Sequence, residues 1–400
     1  MSEALKSRIL KEANLLRDEL VSVRRHIHQH PELSFEEVQT SAFLKEKLGE
    51  AGISFSDGWV KTGILAEIFG ASQGKTVALR GDMDALPIQE DSQEPYASRV
   101  PSVMHACGHD VHSTCLLGAG IILQRISSEL KGNVQLVFQP GEEKLPGGAK
   151  LMMEAGIFEN QQPDAMFALH VFPQMQVGHL GFRSGMYMAS TDELYFTVRG
   201  KGGHAAMPHQ VKDPVLAASA FVVALQQVTS RLAPPTIPTV LSVGKINSTG
   251  GATNVIPDEV KLEGTFRTMD ETWRAQAHQH ISRIATEVGN SYGVSIEVDI
   301  RKGYPVLSNH LELTEKARLA AISLWGDDKI HPLEMRMTAE DFAWFAQEYP
   351  ACFFRLGTHS PEGKHTAGVH TSTFDIDEEA LVVGAATMAW LAASFLNSEV

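Results

Sequence analysis

Cysteine is scarce in this chain. Cys107, Cys115 and Cys352 are the only three among 400 residues, too few and too scattered for a disulfide framework. A reducing compartment fits that usage, so a cytoplasmic protein is expected. Positive charge is also in short supply. Lys and Arg number 34 against 48 Asp and Glu, a formal net charge of −14. Nucleic acid as the main partner would call for a basic face instead. No apolar run approaches the length of a membrane span. The N-terminal residues are charged from Lys6 onward and have no apolar signal core. Neither a membrane nor a nucleic acid is expected as a partner, and no internal repeat stands out.

What is present is an ordinary core-forming composition, 43% apolar, in a length that favours two domains. Leu5, Ile9, Leu16, Leu20, Val23 and Ile27 recur at helical spacing and predict one amphipathic helix over residues 3–30. The histidines at its end, His26, His28 and His30, read as structural. A second helix near 34–51 ends at Gly52. The small and apolar residues of Ser113–Glu129 predict a buried helix, and short apolar runs at 64–69, 76–80, 133–139 and 164–169 predict buried strands. The last three finish on Asp82 and Asp84, on Glu142-Glu143, and on His170. Acidic residues and histidine at successive strand ends describe a mixed, largely parallel α/β sheet with helices on both faces and a site along one edge. From about Met186 the pattern changes. Strand, helix (214–232), strand (239–247), strand (259–267), helix (271–292) and strand (295–301) follow. That order predicts an inserted α+β, ferredoxin-like domain over 187–299, whose sheet edges suit pairing in a homodimer. Residues 1–186 and 300–400 form the discontinuous main domain. In it a helix is expected to open at Met337–Phe342 with Thr338 as its cap, and a last helix spans 378–396.

The densest chemistry lies in Val103–His112, where Cys107, His105, His109, His112 and Asp110 fall within ten residues. Thiolate and imidazole together suit zinc and its first-row neighbours. His105 and His112 read as packing residues, and Cys115 and Cys352 as core. The strand ends and the loops beyond them add ligands: Cys107, His109, Glu143, His170 and His370. Five are one too many for a single tetrahedral zinc, and they suit two metals sharing a ligand. Of two successive carboxylates, one can bind and the other act as a general base.

These residues also carry a resemblance. The stretches Arg80–Pro87 (RGDMDALP), Met104–Asp110 (MHACGHD), Gln139–Glu143 (QPGEE), Ala168–His170, Gly202–Ala205 (GGHA), Thr253–Pro257 (TNVIP), Gly264–Arg267 (GTFR), Glu340–Phe342 and His370 run through nearly the whole chain. Together they resemble the aminoacylase, hippurate hydrolase and auxin-conjugate hydrolase family of metallo-amidohydrolases, kin to carboxypeptidase G-type enzymes. The resemblance implies a dinuclear zinc-peptidase-like catalytic domain. It implies Cys107, His109, Glu143, His170 and His370 as metal ligands, with Cys107 the bridging candidate, and Glu142 as general base. Asp84 would orient a ligand, and Asp82 would not ligate. His204 would donate to the oxyanion from a neighbouring subunit, and Asn254 and Arg267 would hold a substrate carboxylate. The cofactors implied are two divalent ions, zinc, manganese, cobalt or nickel. The chain departs from the family pattern at Lys144-Leu145-Pro146 and at Thr371-Ser372, and neither change removes a ligand.

The expected activity is hydrolysis of the amide of an N-acyl amino acid. The rivals are a dipeptidase or carboxypeptidase with the same centre, a non-catalytic metal-binding protein, for which Glu142 beside Glu143 would be superfluous, and a redox role for Cys107, which would need a resolving thiol.

Overall fold

The apolar runs around Leu79, Leu136 and Leu169 become neighbouring parallel strands. The computed structural model describes residues 3–398, and the chain divides into two units. The first unit holds the residues up to Gly185, Ser308–Glu334, and those from Asp341 on. Its eight-stranded sheet runs in the order Ser54–Trp59, Gly63–Phe69, Lys131–Gln139, Ser72–Asp82, Ala165–Gln176, Ala351–His359, Leu180–Phe182, Ile330–Pro332. The three strands around Ser72–Asp82, together with Ala351–His359, are mutually parallel, with Val77 opposite both Val134 and Ala165. Their carboxyl ends therefore share one edge. The flanking strand Gly63–Phe69 is antiparallel to Lys131–Gln139, so the sheet is mixed.

Alternate residues of each strand face opposite sides. Leu79, Leu136, Phe138, Phe167 and Phe354 join the large core under the long helices. That side holds the helices His109–Arg125 and Glu379–Asn397, both buried along most of their length. Small residues let them approach. A Cβ on Gly118 would meet Leu20 and Ala385 at 2.8 and 2.9 Å, and one on Gly120 would meet Leu136 at 2.4 Å. On the other face Phe353 packs against Phe342, their rings tilted by 32°, at the start of the short helix Ala343–Glu348.

Four local expectations are corrected. The single N-terminal helix is two, Glu3–Leu15 and Arg17–Gln29. Leu16 between them has ψ −8°, and its N–H is shared between the Glu12 and Ala13 carbonyls at 3.2 Å each, a local tightening of the turn. The metal-loop helix begins at His109 rather than Ser113. The strand at 164–169 does not stop at His170 but continues to Gln176, because Ala351–His359 pairs alongside it as far as Gln176. Met337–Phe342 is not helical. The Ala189 N–H bonds the Thr338 carbonyl and Arg267 Nη1 bonds that of Met337, which takes both carbonyls from a helical ladder, and the helix starts at Ala343.

The second unit comprises Met186–Leu307 with Met335–Glu340. Its four-stranded antiparallel sheet has the order Thr239–Ser248, Glu259–Thr268, Asp192–Arg199, Ser295–Lys302. The helices Pro214–Leu225 and Glu271–Tyr292 cover one face, with Phe196, Phe221, Phe266, Trp273 and Ile281 between. Asp213 and Asp270 cap them through backbone N–H groups. Two helices, Pro214–Leu232 and Glu379–Asn397, are apolar and long enough to cross a membrane, against the sequence expectation. The second is a core helix of the first unit.

Candidate metal centre

Cys107 ends the loop before a helix N-terminus, where Gly108 at φ 84° turns the chain into His109. A Cβ at Gly108 would meet Val171 at 2.7 Å, so the loop is pressed onto the strand that carries His170. Cys107 Sγ lies 3.4 Å from His170 Nε2 and 3.3 Å from His370 Nε2. His370 Nε2 is 3.2 Å from Glu143 Oε1. His370 adopts φ 63°, and its N–H donates to the Ala106 carbonyl at 2.7 Å. A distant loop is thereby pinned to the cysteine loop.

The ligand atoms fall into overlapping groups, each within 4.8 Å: Cys107 with His109 and His170, Cys107 with Glu143 and His370, and His109 with Glu142 and Glu143. Cys107, His109 and Glu143 each belong to two of them. Asp84 orients two members. Its carboxylate accepts from His109 Nδ1 at 3.1 Å and from the Glu143 N–H at 3.0 Å, and Ser34 Oγ donates to it at 2.6 Å. With Nδ1 engaged, His109 turns Nε2 inward, where it is buried and makes no hydrogen bond. An unsatisfied ring nitrogen beside a thiol and carboxylates is what a divalent cation would complete.

The electrostatics agree. Burial, reinforced by the Glu143 charge, pushes the Cys107 thiol up. Hydrogen bonds to Cys107 and Glu143 hold His370 up at about 10. Burial, with Arg355 adding to it, holds His170 well below the usual imidazole range. Without a cation Cys107 and His370 keep their protons, while His170 stays neutral. A bound divalent ion would favour thiolate and neutral imidazole, so the residues fit the metals.

Asp82 lies beside the ligands but is otherwise occupied. Arg80 Nη1 is 2.7 Å from its Oδ2 and His112 Nδ1 is 2.6 Å from its Oδ1. Burial would raise its carboxyl, yet Arg80, His109 and His112 hold it well below the usual range. Glu142 is buried, and its Oε1 accepts the Asp341 N–H at 3.3 Å. Lys144, two residues on, is exposed.

The remaining candidates lie in the second unit. His204 and Val255 face each other in a two-stranded ribbon, and the Ala205 N–H donates to the Asn254 carbonyl at 3.0 Å. His204 and Asn254 are thus neighbours, and His204 is exposed. Arg267 is half-buried, and its Nη1 donates to the Met337 carbonyl at 2.9 Å. Burial alone lowers its pKa, and among the described residues no carboxylate pairs with it. Sequence reading missed Ser34, the role of His112 and the contacts of Asp341. For one of them there was a signal: Arg80 interrupts a buried apolar strand, and a charge there demands partners.

The model for peptidase family M20/M25/M40 matches residues 78–394. The N-acetyl-L-cysteine deacetylase of Bacillus subtilis (strain 168) is 40% identical over 92% of this chain and 86% of its own. Thermostable carboxypeptidase 2 of Saccharolobus solfataricus is 37% identical over 96% of each chain. Among solved structures, the Bacillus subtilis YXEP protein, described as a dinuclear metal binding peptidase from the M20 family, is 34% identical. It superposes with a TM-score of 0.83 over 96% of this chain and all of that one.

Proposed function

We propose, because this chain belongs to peptidase family M20/M25/M40 and is therefore a metal-dependent hydrolase, that it cleaves N-acyl amino acids to a carboxylic acid and a free amino acid. The observation that carries the reading is the half-buried Arg267, a planar fork with no acidic partner among the described residues. Such a group suits the free carboxylate of an amino acid leaving group, with Asn254 assisting. The cofactors are two divalent ions, which in this reading Cys107, His109, Glu143, His170 and His370 would hold. When bound, they polarise the scissile carbonyl and make water nucleophilic near neutral pH.

The chain's own groups do the rest. Glu142 takes the proton of the attacking water and passes it to the leaving amide nitrogen. The C–N bond breaks, and the water oxygen stays in the carboxylic acid. Asp84 keeps His109 Nε2 aimed inward. His204 of the partner subunit donates to the oxyanion. The second unit would be a ferredoxin-like dimerisation domain, inserted at 187–299 between the two parts of the catalytic domain. The helix Pro214–Leu225 leaves Leu216 and Val223 exposed, and the edge strand Thr239–Ser248 leaves Ile246 exposed, which supports pairing with a second copy. A reducing cytoplasm would keep Cys107 a ligand.

A second reading, a carboxypeptidase, is favoured by the likeness to thermostable carboxypeptidase 2. The test is hydrolysis of N-acetyl, N-benzoyl and indoleacetyl amino acids beside two dipeptides, before and after chelation and metal add-back. Metal-restored release of amino acid from an acyl conjugate supports the first reading. Turnover confined to the dipeptides replaces it with the second.

A further inference from the structure

Arg80 is fully buried near the carboxyl end of the strand Ser72–Asp82. A guanidinium there is stable only when its charge and its donors are answered. Its nitrogens diverge along two arms. Nη1 meets Asp82 Oδ2 at 2.7 Å, while Nη2 donates to Asp341 Oδ1 at 2.8 Å and Nε to Gln139 Oε1 at 2.9 Å.

The first arm runs toward the metal ligands. Asp82 Oδ1 accepts from His112 Nδ1 at 2.6 Å. That fixes the tautomer, and His112 Nε2 accepts the Val171 N–H at 3.0 Å. Val171 follows His170, and its carbonyl accepts from His170 Nδ1 at 2.9 Å. Its side chain also packs under Gly108, between Cys107 and His109. Any shift at Val171 therefore moves three candidate ligands. The second arm runs toward the base. The Asp341 carboxylate accepts from Arg80, from Gln139 Nε2 at 2.9 and 2.8 Å, and from the Ala149 N–H at 3.0 Å. Thus anchored, Asp341 presents its own N–H to Glu142 Oε1.

We infer that Arg80 is a positioning residue: one buried cation sets, through Asp82 and His112, the backbone beside His170, and, through Asp341, the peptide N–H that faces Glu142. The inference rests on the hydrolase reading for the roles of His170 and Glu142. Lysine could not replace Arg80, because a single ammonium cannot span both arms.

The arms are tested separately in the full-length protein, with folding checked by circular dichroism. His112→Asn keeps a donor near Asp82 but cannot reach the Val171 N–H, whereas His112→Gln keeps an acceptor there. Cobalt(II) affinity, measured by chelator competition, is expected to fall about 10- to 100-fold in His112→Asn. The cobalt–thiolate absorption band should shift with it, and His112→Gln should recover part of both. Asp341→Asn puts an amide against Arg80. It is expected to bind cobalt(II) as the wild type does while kcat falls at unchanged KM. Wild-type cobalt affinity and spectrum in a folded His112→Asn would overturn the inference, as would an equal loss of metal affinity in both variants. If the wild type hydrolyses no acyl amino acid, the functional reading fails, and the cobalt measurements still decide the first arm.

Discussion

Replacing Arg24 with methionine is expected to destabilise the protein by about 3–5 kcal/mol at about pH 8, the cost of stranding a buried charge. Arg24 is fully buried in the helix Arg17–Gln29. Its Nε donates to Asp110 Oδ2 at 2.8 Å and Nη2 to Asp375 Oδ1 at 2.9 Å, with Glu378 at 3.7 Å. Asp375 and Glu378 keep some contact with water, so their loss is small. Asp110 has none and keeps only His28 Nδ1, at 2.8 Å. The magnitude is therefore that of one uncompensated carboxylate. Burial would raise the Asp110 carboxyl, but Arg24 and then His28 hold it far below its usual range. A depressed carboxylate contributes stability that is present above its unfolded value of about 3.9 and is lost as pH falls toward the folded one. The gap between wild type and variant should close below about pH 4. His28 carries the opposite sign. Burial and Arg24 lower it, yet Asp110 and Glu90 raise it above its usual value. Its contribution is present below about pH 6.5 and fades as pH rises through the folded value. Freed of Arg24, His28 becomes a better partner for Asp110, so the gap should narrow between about pH 8 and 6. Urea unfolding of the metal-free protein across that range measures it, and Arg24→Met/Asp110→Asn should recover most of the loss. A pH-independent loss below about 1 kcal/mol, or no recovery in the double variant, would refute the reasoning. Because Asp110 follows His109 in the first turn of its helix, weaker metal loading should accompany the lost stability.

Other outcomes follow from the same geometry. Glu142→Gln should lower kcat about 10²- to 10⁴-fold while metal stoichiometry, read by elemental analysis, stays at the wild-type value. Metal binding should release protons into weakly buffered solution at neutral pH, because the Cys107 thiol is pushed up and His370 sits at about 10. Metal affinity should therefore rise with pH up to that value, and a pH-independent affinity would contradict the ligand set. If the helix Pro214–Leu225 pairs two copies through the exposed Leu216 and Val223, Leu216→Glu with Val223→Asp should yield a folded monomer by sedimentation. An unchanged dimer would place the interface elsewhere. Asp84→Asn should weaken metal binding about 10- to 100-fold, because an amide cannot accept from Ser34, His109 and the Glu143 N–H together.

Local pattern carried a good deal. Thiol, imidazole and carboxylate sit at strand ends and in the loops beyond, where a parallel sheet gathers them, so Cys107, His109, Glu143 and His170 could be grouped from sequence. Covalent order and apolar period are enough for that, because parallel strands must end on a common edge. His370 is different. It comes from a loop about 200 residues beyond His170, and only the Ala106 carbonyl and a left-handed backbone put its ring on Cys107. Which of two residues does which task was also beyond pattern. His112 reads as packing in sequence, yet folding hands it Asp82 on one nitrogen and the Val171 N–H on the other. Residues 337–342 have helical propensity, and tertiary bonds to Ala189 and Arg267 override it. The sequence by itself determined the chemical types at the centre and the sheet edge that presents them, since both follow from residue identity and periodicity. Tertiary structure alone decided tautomer, orientation and partner. Those depend on hydrogen bonds between groups far apart in the chain, and no local window contains both ends of such a bond.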